Sequence, residues 1–157
     1  NDIYLNDIKL PDKFNLNDSF FRIGQSYYTD QILFDSLNEV ILPQSYPFLD
    51  TMVNFLMLHK NFNIMIHRTG EKSSKKNGLL LSQIQVNLVG DYLEKMGINR
   101  SRLAFVGAVH DRSKINVNES YGLTKIFEEV FYAVIRELNF SKSNKYTGFI
   151  ITKINYN

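Results

Sequence analysis

The chain has 157 residues, 44% of them hydrophobic and 22% charged, which suits one compact domain with a real buried core. A net charge of +2, with Lys and Arg scattered except over residues 72–76, argues against a nucleic-acid surface, and the lack of cysteine removes disulfides, a thiolate nucleophile and zinc–thiolate clusters. No apolar run approaches the roughly 20 residues that span a bilayer, and the opening Asn1-Asp2-Ile3-Tyr4 does not read as a signal peptide, so the sequence reads as a processed product or a piece of a longer one.

Residues 1–21 alternate apolar and polar side chains loosely, with Ile3, Leu5, Ile8 and Leu10 ahead of Pro11, Phe14 and Leu16. This is extended lead-in chain with an edge strand in it, and residues 1–26 are assigned as lead-in or linker and 27–157 as the domain. Residues 27–34 are rich in aromatic and branched side chains and are expected as the first strand, followed by an irregular stretch to Leu42. Pro43 opens a helix over residues 44–59, because a proline in the first turn has no needed amide hydrogen to lose. Phe48, Leu49, Met52, Val53, Phe55 and Leu56 recur there at helical spacing, which makes the helix a buried one.

Phe62, Ile64 and Ile66 alternate with Asn63, Met65 and His67, the period of a strand, which should give way to a polar loop over residues 68–78. A second helix is expected over residues 79–96, with Leu81, Ile84, Leu88 and Tyr92 along one side and Gly97 as its stop. Residues 102–109 read as a short apolar strand. Over residues 119–138, Ile126, Phe127, Val130, Phe131, Val134 and Leu138 oppose Glu128, Glu129, Arg136 and Glu137, the pattern of a third helix ending near Asn139. Residues 147–156 form the closing strand. Strands separated by helices imply an α/β (α+β) sandwich, with helices packed on one face of a small mixed sheet.

Several of these residues stand at separations that belong together: Phe34-Asp35, Pro43, Leu49-Asp50, Leu81-Ser82, Tyr92-Leu93, Gly97-Ile98, Arg102-Leu103 and Gly107. In this frame the chain resembles the OmpA-like domain, the periplasmic module that in its family grips peptidoglycan. The resemblance covers residues 32–107 firmly and the remainder weakly. It implies a domain of the cell envelope and places the family's Gly-His-Thr-Asp on Arg68-Thr69-Gly70-Glu71 and its Leu-Ser-x-x-Arg on Leu81-Ser82-Gln83-Ile84-Gln85. The family's Asn-Arg-Arg signature is absent, the corresponding region reading Lys125-Ile126-Phe127-Glu128-Glu129, and the family's ending would put a strand at 130–135 in place of a third helix.

The resemblance implies that Glu71 stands for the aspartate that meets the ammonium of diaminopimelate, and Gln85 for the arginine that meets its carboxylate. Gln85 keeps a hydrogen-bond donor and loses the charge. A charge-assisted bond contributes roughly 1.5 to 3 kcal/mol, so affinity should fall by about ten- to a hundredfold. Thr69, Glu71, Ser82 and Gln85 are therefore the candidate ligand-binding residues, with Arg68 or Lys72 as a substitute contact reaching in from the loop. The plain alternative is that Glu71 is a solvated loop acid, Gln85 a helix-surface amide, and Ser82 and Asn77 capping or turn residues.

His59, His67 and His110 lack metal-ligand spacing and read as surface or structural histidines. The run Lys72-Ser73-Ser74-Lys75-Lys76 reads as a solvated loop more than as a contact for an anionic polymer or lipid headgroup. No phosphate loop, nucleophile elbow or cysteine nucleophile is present, so no catalytic residue, metal or cofactor is assigned. The expectation is a non-catalytic envelope domain, periplasmic and associated with the outer membrane. It would act as a structural or docking subunit with protein partners, its grip on peptidoglycan weakened or lost. The alternative is a working peptidoglycan anchor.

Overall fold

The computed structural model describes residues 12–13, 21–35, 39–71, 78–111, 114–117 and 146–155. In chain order these form β1 (Asp12–Lys13), β2 (Ser26–Thr29), α1 (Tyr46–Leu58) entered through a 3-10 turn at Pro43–Ser45, β3 (Phe62–Glu71), α2 (Gly78–Lys95), β4 (Leu103–Asp111), β5 (Lys114–Val117) and β6 (Thr147–Ile154). The strands make one six-stranded sheet in the order β1-β2-β6-β3-β4-β5. β3 and β4 pair in parallel across the α2 crossover, and β6 lies between β2 and β3, antiparallel to both. The closing strand is thus central to the sheet.

Residues paired across these strands share a face, so the register sorts the sheet into rows. Ile64 aligns with Leu103 and Ile151, and Ile66 with Phe105 and Phe149, forming the floor of the core under the helices. The next row on that face is Thr147, Arg68 and Gly107, where the floor turns polar. The opposite face carries Met65, Val106 and Ile150, each 0% exposed, and His67 at 1%, so these positions are also shut off from solvent. That is why β3 carries apolar residues at consecutive positions.

α1 presents Phe48, Leu49, Met52, Val53, Phe55 and Leu56 to the core, the whole of the expected set. α2 differs. Its buried stripe is Ser82, Val86, Val89 and Leu93, while Leu81, Ile84, Leu88 and Tyr92 are only half-buried. The helix lies on β4 by its narrowest side: a Cβ on Gly107 would stand 2.4 Å from the Gln83 backbone nitrogen, and one on Gly90 would stand 2.2 Å from the Phe105 ring. Leu88 and Tyr92 still pack against the core, but the innermost stripe is set by close approach, which selects small residues.

The end of α2 is built as the sequence suggests, and the end of α1 by a contact that spacing does not reveal. Gly97 sits at φ +104°, its N–H donates to Glu94 O, and the Ile98 N–H donates to Leu93 O, both at 3.0 Å. This double closure, with Leu93 and Ile98 buried together, is the Schellman arrangement. Arg102 locks the end of α1 to the start of β3. Its Nη2 donates to Leu56 O at 2.9 Å and to His59 O at 2.7 Å, and its Nε donates to Phe62 O at 3.0 Å. Between the helices, the Tyr92 hydroxyl donates to Asp50, and that bond pushes the phenol up to about 12.

Several expectations need correction. β3 does not stop at His67: residues assigned to a polar loop continue the strand to Glu71, because β4 pairs with it as far as Glu71↔His110 and β6 as far as Arg68↔Thr147. The first strand ends at Thr29, and Phe34 makes an isolated bridge to Ile41, with Asp35 Oδ1 accepting from the Glu39 and Val40 N–H groups and Ser45 Oγ bonding both the N–H and the carbonyl of Leu33. β5 was not foreseen. Phe21, within the expected lead-in, meets Phe55, Phe62 and His59 edge-on at 5.4, 5.4 and 4.9 Å between ring centres. The expected third helix, the alternative strand at 130–135, the lysine run 72–76 and Asn77 lie outside the described residues. No helix among the described residues is long and apolar enough to cross a membrane.

Candidate functional site

Arg68 enters the site from β3, on the helix-facing side of the sheet, directly beneath α2. It is 5% exposed. Its Nε donates to Gln85 Oε1 at 3.0 Å, its Nη1 donates to Thr147 Oγ1 at 2.7 Å, and its Cζ lies 4.7 Å from the centre of the Phe34 ring. The helix, the closing strand and the segment before α1 each contribute one side chain, Gln85, Thr147 and Phe34, to holding the guanidinium that β3 supplies. Burial lowers Arg68 to about 10, so it stays protonated at neutral pH.

Gln85 is 6% exposed and is the acceptor for Arg68, so it is an interior amide and not the helix-surface amide of the plain reading. A carboxamide oxygen against a guanidinium uses the neutral partner's strongest dipole without adding a second charge to desolvate. Ser82 stands one turn before Gln85 on the same stripe, is 0% exposed, and lies inside α2, so it is neither a cap nor a turn residue. Thr69 and Glu71 belong to the last part of β3, opposite Ala108 and His110 of β4, and not to a loop. The structure therefore brings Arg68, Ser82 and Gln85 to one strand–helix junction and sets Thr69 and Glu71 next along the same strand.

Other residues of this junction escaped sequence reasoning. Gln83, 5% exposed, accepts from the Gly107 N–H at 2.9 Å through Oε1 and donates to Asn87 Oδ1 at 3.0 Å through Nε2. It ties the first half of α2 to β4 and so sets the height at which Gln85 meets Arg68. Thr147 lies far from Arg68 in sequence and becomes its neighbour only through the β3–β6 pairing. The readable signal was the glycine inside an apolar strand, Gly107, which marks a close backbone approach.

Of the histidines, His67 lies on the other face of β3 and is held neutral, at about 3, by burial first and by the adjacent Arg68 charge second. The glycine at 148 makes room for its ring, since a Cβ there would stand 2.0 Å from it. His59 stacks on Phe62 at 4.7 Å and 8° between planes, and burial lowers its pKa. Both are structural.

No protein-family model matches the sequence, and no curated protein matches it. Solved structures do. The periplasmic domain of Helicobacter pylori MotB aligns with a TM-score of 0.53 and 12% identity over 82% of this chain and 81% of its own. The cell wall anchor of the type VI secretion system of Pseudomonas aeruginosa aligns at 0.50 and 12% over 82% and 80%. The OmpA-like domain of FopA1 from Francisella tularensis covers 99% of this chain and 96% of its own at 13% identity and a TM-score of 0.45. The chain has the OmpA-like fold.

Within the OmpA-like frame, the matched residues now have physical reasons. Asp50 and Tyr92 bridge the helices, Gly97-Ile98 closes α2, and Arg102 caps α1. Gly107 admits α2 onto the sheet. All are determinants of the fold. At Gln85, which the sequence resemblance sets against an arginine, the interior holds an amide, and the Arg68 guanidinium reaches it from the sheet.

Proposed function

We propose that this chain is a non-catalytic domain of the cell envelope, placed in the periplasm and associated with the outer membrane, where it serves as a structural or docking subunit with weakened or lost peptidoglycan binding. Its similarity in fold to a periplasmic MotB domain and to a cell wall anchor supports an envelope setting. The observation that carries the rest is the state of Arg68. Arg68 is 5% exposed and its guanidinium is bonded to Gln85 and Thr147, so it holds the sheet to α2 from a position closed to solvent. A ligand carboxylate would have to displace those bonds to be met by it.

A second reading rests on a specific observation: Arg68 Nε lies 3.0 Å from the Gln85 side chain, so positive charge is retained beside the position where the family's arginine would stand. On that reading the chain is a working anchor, with Glu71 and the substitute Arg68 receiving a diaminopimelate stem peptide. Calorimetric titration with a soluble diaminopimelate-containing muropeptide separates the two, run beside Glu71→Ala. The proposal expects either no binding or binding too weak to saturate at millimolar ligand. Saturable binding that disappears in Glu71→Ala would overturn it in favour of the anchor.

A further inference from the structure

We draw no further inference here: the strongest candidate, the exposed apolar patch at one end of the helix layer where Met57 and Leu58 of α1 adjoin Lys60, Asn61 and Asn155, carries nothing because the structure does not show what covers it.

Discussion

Arg68 and Gln85 meet inside the protein, the Nε of one donating to the Oε1 of the other across the junction of β3 and α2 at 3.0 Å. They lie 17 residues apart on two different elements, both nearly closed to solvent. The contact joins a buried charge to a neutral amide, so its worth lies chiefly in what each residue would lose without the other.

Removing both partners should cost less than the sum of removing each alone. Arg68→Met leaves Gln85 and Thr147 oxygens buried without this donor, and should destabilise by about 3 kcal/mol. Gln85→Leu leaves the guanidinium short of an acceptor, at about 2 kcal/mol. The double variant replaces a polar contact by an apolar one, and its loss should fall short of the sum by about 1 to 3 kcal/mol. Urea unfolding of the four proteins gives the coupling directly. Additivity within about 0.5 kcal/mol would mean that the two residues do not depend on one another.

The close approach of α2 to β4 predicts an order among glycines. A methyl group on Gly107 meets the Gln83 nitrogen at 2.4 Å and its Cα at 2.7 Å, all backbone, so Gly107→Ala must lift the helix. The expected cost is about 2 to 3 kcal/mol, together with disturbance of Gln85. Gly90→Ala meets the far edge of the Phe105 ring, a side chain and not backbone, and up to about 1 kcal/mol of helix propensity offsets part of that clash. Thermal unfolding should therefore place Gly107→Ala below Gly90→Ala. The reverse order would show that α2 is not seated through Gly107.

Arg102 makes a parallel case at the other end of the core. Its bonds to Leu56 O and His59 O satisfy carbonyls that the end of α1 leaves open, and its bond to Phe62 O ties that end to β3. Arg102→Met should cost about 2 to 3 kcal/mol, and Arg102→Lys should recover only part of it because an ammonium lacks the planar fork. Equal stability of the lysine variant and the parent, read from urea midpoints, would reduce the residue to its charge.

How much of this was legible in the sequence depended on the range of the contact. α1 was readable because six large apolar residues recur within one helix, and the Gly97-Ile98 closure because its chemistry is local. The buried stripe of α2 was not, since Ser82 and Gln85 are polar and become interior only where Gly107 and Arg68 wait beneath them. The end of β3 was misread for the same reason: Arg68-Thr69-Gly70-Glu71 looks like loop by composition, and only pairing with β4 along its whole length, and with β6 at Arg68, makes it strand. Gln85 was singled out through the family frame, but Thr147, the other acceptor for Arg68, could not be, because nothing local in sequence announces a β3–β6 register.

The pH dependence of stability should carry the signature of His67. Its pKa is about 3 in the folded protein against 6.5 when free, so below pH 6.5 the unfolded chain takes up a proton that the folded one refuses. Stability from this residue is complete above pH 6.5 and declines as pH falls toward 3, with about 2 kcal/mol gone by pH 5. The ring is also enclosed, with Gly148 leaving just enough room for it, so the charged form has no nearby water to move into. Urea unfolding at pH 7, 6, 5 and 4 should show this fall in the parent, and His67→Leu should flatten it even if that variant is less stable at pH 7. An identical acid slope in the two proteins would assign the loss to the carboxylates instead.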